Sequence, residues 1–257
     1  MPKFAANLSF LFTDAPFPER FARAAAAGFA GVEYLFPYAW PAAEIAGWLR
    51  AAGLQQVLFN LPPGDWDAGE RGIACLPGRE AEFAAGVDTA LAYAQALDCR
   101  RVHCMAGLRP AGADEAELTA TYIANLRHAA DRFAGIGGTV LIEPINSRID
   151  MPGYWLDDVR RAVALLDAID RPNVRLQLDL YHAQIIQGDL ARCIEANIER
   201  IGHVQIADNP GRHEPGSGEI NYPFLFALLD RLAYAGWVGC EYKPLTTTEA
   251  GLGWLPR

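Results

Sequence analysis

Short apolar runs alternate along the chain with stretches whose apolar residues recur every three or four positions, and this rhythm persists throughout. The run Val140-Leu141-Ile142 lies between Gly137-Gly138 and Pro144, and predicts a strand buried on both faces that closes on a carboxylate, Glu143. The grammar recurs: Asp179 closes the run 174–178, Gln205 lies within 201–207, and Glu241 closes 237–240. Residues 3–10, 31–36, 54–61 and 101–105 supply four earlier strands. Helical spacing fills the intervals. Residues 19–27 end at Gly28, and 41–52 open with Pro41 and end at Gly53. Residues 79–97 carry a seam of Phe83, Val87, Leu91, Ala94 and Leu97, and 114–133 one of Leu118, Tyr122, Leu126 and Ala130. Residues 156–169, a short helix from Asp189 as cap to Asn197, and residues 222–234 complete the set.

Eight strands alternating with helices, with no linker-like or low-complexity segment, predict a single (β/α)8 TIM barrel over residues 1–257, a doubly wound sheet being the alternative. Two stretches depart from the rhythm. Residues 62–78 are rich in Gly and Pro and form a long loop after strand three, of the kind that covers a site. The tail from residue 242 is short for a full eighth helix, so closure there is expected to be irregular or completed by a partner subunit, a reason to expect a homo-oligomer.

Composition narrows the classes. Of 257 residues, 51% are hydrophobic and 21% charged, enough apolar surface for a sizeable core. A net charge of -9 and the lack of a basic stripe argue against a nucleic-acid partner. The five cysteines show no CxxC spacing, which argues against a disulfide framework or thiolate zinc site and for a reducing cytoplasm. Residues 4–12 are too short to span a bilayer and are interrupted by Asn7 and Ser9, so no membrane segment is expected. Dinucleotide, Walker, GxSxG and HExxH signatures are absent, and the glycines at 135, 137 and 138 precede a strand, the wrong side for a phosphate cradle.

In such a barrel the strand ends converge, which brings Glu143, Asp179, Gln205 and Glu241 to one place. Three carboxylates there repel each other unless a cation joins them, and an all-oxygen set suits Mg²⁺ or Mn²⁺ better than zinc or copper. The plainer reading is that each side chain caps a strand or pairs with an arginine. His182, three residues after Asp179, and His103, at the end of strand four, are candidate substrate contacts, whereas His203 sits deeper on the face of Gln205 and reads as structural. Arg71, beside Glu70 in the third loop, and Lys243, two residues after Glu241, are placed to hold an anionic group.

Several segments together resemble the hydroxypyruvate isomerases, including the 2-oxo-tetronate isomerases, of the xylose-isomerase-like barrels. They are Asn7-Leu-Ser-Phe-Leu-Phe12, Gly69-Glu-Arg-Gly-Ile-Ala74, Leu141-Ile-Glu-Pro-Ile-Asn146, Leu178-Asp-Leu-Tyr-His182, Val204-Gln-Ile-Ala-Asp208, the segment 212–222 and Gly239-Cys-Glu-Tyr-Lys-Pro244. The resemblance implies that Glu143 and Glu241 form the acid/base pair and bind a divalent metal with Asp179 and Gln205. It adds Asn7 and His213 to the candidate substrate contacts, beside His182, His103, Glu70, Arg71 and Lys243. Many epimerases of the wider superfamily carry His at the strand-seven position, so Gln205 sides with the isomerases. The reaction implied interconverts an α-hydroxy ketone and its aldehyde isomer, hydroxypyruvate with tartronate semialdehyde or the 2-oxo-tetronate equivalent, by proton transfer or by hydride shift. The rival readings are a ketose 3-epimerase, an endonuclease-IV-like phosphodiesterase and a non-catalytic sugar-acid binder.

Overall fold

Eight parallel strands close in sequence order in the computed structural model, which describes residues 1–255: β1 (Lys3–Asn7), β2 (Gly31–Glu33), β3 (Gln55–Asn60), β4 (Arg101–His103), β5 (Thr139–Ile142), β6 (Val174–Asp179), β7 (Ile201–Ile206) and β8 (Trp237–Cys240). Pairing of β1 with β8, Phe4 opposite Val238, seals the ring, so the barrel is formed and the doubly wound alternative falls. Around it run α1 (Phe17–Ala26), α2 (Ala42–Ala52), α3 (Glu80–Ala96), α4 (Glu115–Ala134), α5 (Val159–Ile169), α6 (Leu180–Ile186), α7 (Leu190–Asn197) and α8 (Tyr222–Arg231).

The helices form where periodicity and caps agree. All four seam residues expected in α4 are buried, and the Asp114 carboxylate caps the helix by accepting from the Ala116 N–H at 2.9 Å. Asp158 does the same for α5 through the Arg161 N–H at 3.0 Å. Inside the barrel, Ala5 and Leu141 lie two residues below Asn7 and Glu143 on the same strand faces, and with Val57, Leu58 and Trp237 they form a small apolar cluster under the polar strand ends. Gly31 makes room for it: a Cβ there would lie 2.7 Å from Val57 and 2.8 Å from Trp237. No helix among the described residues is long and apolar enough to cross a membrane.

Three strands end earlier than expected, β1 at Asn7, β2 at Glu33 and β4 at His103. In β1 the cause is visible: Asn7 Oδ1 accepts the Ser9 N–H at 3.1 Å and the Asn7 carbonyl accepts from Phe10 and Leu11, so a turn replaces the ladder. Asp189 does not cap α7; it is left-handed (φ 50°) and its carboxylate pairs with Arg192 at 3.1 Å. Helix α6 was not foreseen, because it starts directly after β6 with no turn residues between, nucleated by Asp179 Oδ1 accepting the Tyr181 N–H at 2.8 Å. Among the described residues the tail closes irregularly. One 3-10 turn, Leu252–Trp254, stands in for a helix after β8; Trp254 packs edge-on against Phe4 at 5.1 Å, and Thr248 Oγ1 accepts the Phe12 N–H at 2.7 Å.

Candidate active site

The carboxyl ends of the strands carry a ring of buried polar side chains in two storeys. In the lower one Glu33 is fully buried and held on three sides: His203 Nε2 lies 2.7 Å from its Oε2, while Asn7 Nδ2 (3.0 Å) and Gln205 Nε2 (2.8 Å) donate to its Oε1. His203 thus has the structural place expected of it. The Cα of Gly239 passes so close that an added Cβ would overlap both Glu33 carboxylate oxygens. Glu33 cannot retreat without breaking those three bonds, so Gly239→Ala is expected to destabilise the protein by about 1–3 kcal/mol, the usual cost of overpacking, read as a lower urea midpoint at unchanged slope. A wild-type midpoint would show that the network is soft.

The upper storey faces a cavity of about 270 Å³, below the usual size of sites for drug-sized ligands and suited to a small substrate. Glu143 and Glu241 both line it, with His103, His182, Arg71 and Lys243 of the sequence candidates. Glu241 is heavily engaged: its Oε1 accepts from Arg212 Nη2 at 2.7 Å, and its Oε2 from Gln205 Nε2 at 2.6 Å and Asn7 Nδ2 at 3.0 Å. Glu143 is not. Its Oε2 accepts from Gln177 Nε2 at 3.0 Å, and its Oε1, like Asp179 Oδ2, is buried with no hydrogen-bond partner among the described residues. Gln177 also donates to Gln205 Oε1 at 2.6 Å, so Glu143, Gln205 and Glu241 of the residues expected to hold a metal are linked through one network, while Asp179 stands outside it.

Two bare carboxylate oxygens, buried and close together, fit a divalent cation: one ligand atom from each of Glu143, Asp179 and His182 lies within 4.8 Å of the others. Gln205 and Glu241 stand beside this pair with their oxygens already hydrogen-bonded, so joining the same cation requires them to exchange protein partners for it.

Burial pushes the Glu143 carboxyl well above its usual range, and the neighbouring Glu241 and Asp179 add to the shift. Burial also raises Glu241, with Arg212 pulling the other way. His103 is lowered to about 3 and His182 to about 4, mainly by burial, so both rings are neutral at pH 7. Burial works against the Arg212 charge, but Glu241, Asp179 and Asp150 more than offset it.

Three other candidates stand away from the cavity wall. Asn7 lies beneath it, tying Glu33 to Glu241. The Glu70 carboxylate pairs with Arg79 at 2.6 Å and shapes the third loop, and His213 Nδ1 donates to the Lys243 carbonyl at 2.7 Å. Arg71 is stacked 4.0 Å over the Trp66 ring and pinned through Nη1 to the Trp66 and Glu70 carbonyls, with no carboxylate partner among the described residues. Sequence reasoning missed Glu33, Gln177, Asn146, Asp150 and, as an individual residue, Arg212. Arg212 is left-handed (φ 57°) and joins Asp150 (2.8 Å) to Glu241. Asp208 shapes the loop that presents it, its carboxylate accepting the N–H groups of Asn209, Gly216, Gly218 and Ile220. The available signal was an acid at the end of β7 followed by three glycines.

A closed parallel barrel with acids and amides gathered at its carboxyl face defines a TIM-barrel enzyme site, and the family model described as xylose isomerase-like TIM barrel matches residues 21–257. A 2-oxo-tetronate isomerase of Cupriavidus necator is 54% identical over 99% of this chain and 98% of its own length, and the hydroxypyruvate isomerase of Escherichia coli is 49% identical over 99% and 98%. The chain belongs to the xylose isomerase-like TIM barrels and, within them, to the hydroxypyruvate and 2-oxo-tetronate isomerases. A crystal structure from Brucella melitensis described as an AP endonuclease of family 2 superposes with a TM-score of 0.97 at 56% identity, covering 99% of this chain and 98% of that one. An Escherichia coli 3-keto-D-glucoside 4-epimerase shares the fold, with a TM-score of 0.83 at 21% identity and 99% of both chains covered.

Proposed function

We propose that this isomerase is a cytoplasmic, metal-dependent enzyme that interconverts a small 2-oxo acid and its aldehyde isomer, hydroxypyruvate with tartronate semialdehyde or the 2-oxo-tetronate equivalent. The observation that carries the reading is that Glu143 and Glu241 line one small cavity, the first with an open oxygen beside Asp179 and the second clamped by Arg212. Glu143, Asp179, Gln205 and Glu241 would hold Mg²⁺ or Mn²⁺, which supplies polarisation of the substrate carbonyl and hydroxyl oxygens.

The chain's own groups do the rest. One glutamate takes the proton from the carbon bearing the hydroxyl group and the other protonates the neighbouring carbon, while the hydroxyl proton passes to the former carbonyl oxygen, so that the carbonyl and hydroxyl groups exchange places. Burial raises both carboxyls, Glu241 to about 8, and a carboxyl whose basicity is raised in this way is better able to take up a proton and return it. Arg71, 4.0 Å over the Trp66 ring and without a carboxylate partner among the described residues, and Lys243 are the anchors for the substrate carboxylate. His182 and His103, both neutral and on the cavity wall, are placed to meet substrate oxygens. The five cysteines are all free and buried, in keeping with a reducing compartment.

A panel of hydroxypyruvate, 2-oxo-tetronate, free ketohexoses and DNA with abasic sites, assayed with Mg²⁺ or Mn²⁺ before and after chelation, tests this. The acids are expected to turn over, with activity lost on chelation and restored by metal. Full activity after chelation would remove the metal role, and preference for neutral ketohexoses would favour a 3-epimerase. Strand cleavage would support a phosphodiesterase, against which the net charge of -9 weighs.

A further inference from the structure

Asn146, fully buried in the loop after β5, has an amide that only one orientation satisfies. Its Oδ1 accepts the backbone N–H groups of Ile149 (2.9 Å) and Asp150 (3.1 Å), while its Nδ2 lies 2.7 Å from both Asp150 Oδ2 and His182 Nδ1. Turning the amide over would set its nitrogen against two N–H donors and its oxygen against a carboxylate. Both protons of the NH₂ group are therefore donated, one of them to His182 Nδ1, which has to accept. An imidazole that accepts at Nδ1 carries its proton at Nε2. That nitrogen lies 3.6 Å from Asp179 Oδ2 and 3.8 Å from Glu143 Oε1, on a ring that lines the cavity.

We propose that Asn146 is a positioning residue that locks His182 in the Nε2–H tautomer, so that His182 enters the site as a hydrogen-bond donor to a substrate oxygen and not as a ligand of the metal. A protonated ring nitrogen has no lone pair to offer a cation, although distance alone would admit His182 beside Glu143 and Asp179. The ligand set then stays all-oxygen, where an imidazole ligand would tilt the site towards zinc or copper. The donor role rests on the isomerase reading; the tautomer does not.

Protein labelled with nitrogen-15 histidine reports the tautomer in two-bond proton–nitrogen correlation spectra, with His182→Gln identifying the resonances. In the wild type Nδ1 is expected to appear as the unprotonated nitrogen and Nε2 as the protonated one, and both are expected to remain so when Mg²⁺ is added. In Asn146→Ala the fixed form gives way to a mixture of tautomers, and kcat falls by roughly 10–100-fold, the range for residues that orient a site from behind. A protonated Nδ1 in the wild type, loss of the Nε2 proton on adding Mg²⁺, or a wild-type pattern in Asn146→Ala would each overturn the proposal. The wild-type spectra decide even where the variant fails to fold. An inactive substrate panel would leave them unchanged, which separates failure of the functional reading from failure of this one.

Discussion

Replacing Glu143 with Gln is expected to lower kcat by roughly 10²–10⁴-fold, the contribution of a positioned acid or base, without weakening the fold. Gln keeps the size of the side chain and loses the group that carries the proton. The fold tolerates the change because Glu143 makes one hydrogen bond, from Gln177, and leaves its other oxygen unpaired. Removing an ionisable group from a site where burial and two neighbouring acids already oppose its charge leaves the melting temperature of the metal-free protein unchanged or higher. Kinetics beside thermal denaturation check both halves, and a variant that keeps wild-type kcat would end the acid/base role. Turnover of the wild type in deuterated water then separates the two chemistries. Proton transfer through the glutamates brings solvent deuterium into the product, whereas its complete absence assigns the step to a hydride shift between the carbons.

Arg212→Met is the substitution expected to cost the most stability. The guanidinium bridges Glu241 at 2.7 Å and Asp150 at 2.8 Å, and lies over the Phe10 and Tyr181 rings at 5.0 and 5.2 Å. Methionine fills part of the space and leaves two carboxylates without their cation. Breaking a buried pair in this way typically costs about 3–5 kcal/mol, which for a chain of this size lowers the melting temperature by on the order of 10 °C. Arg212→Lys keeps the charge but cannot reach both acids as a fork does, so it should fall between the two. The partnership is checked by a double-mutant cycle with Glu241→Gln: once the acid is neutral, the loss of Arg212 should cost less, and strictly additive energies would show that the two do not act on each other.

The barrel was legible because short, largely apolar runs alternate with stretches of helical period, and Glu143, Asp179 and Glu241 stood out as charges that end such runs. Glu33 did not. It sits inside Gly-Val-Glu-Tyr-Leu-Phe, where apolar residues continue past it, and the shift in register between Val32 and Glu33 that ends β2 leaves no mark in composition. Its partner His203 is 170 positions away, so their pairing exists only once the ring has closed. Arg212 was hidden for another reason: it belongs to a polar loop, and only the four N–H groups gathered by Asp208 turn it inward. Asn146 was visible as part of a motif, but its work depends on which way a buried amide points.

The lower storey of polar residues also sets a limit on improving this protein. Glu33, His203 and Gln177 occupy interior positions where aliphatic side chains would pack well, and replacing a buried polar pair with apolar residues is often neutral or stabilising. Yet Glu33 holds Gln205 and Asn7, both of which hold Glu241. Selection for heat tolerance alone would therefore be drawn to the residues that aim Glu241, the proposed catalytic acid, and would be expected to yield robust barrels that turn over slowly, so that durability and speed trade against each other at the same few side chains.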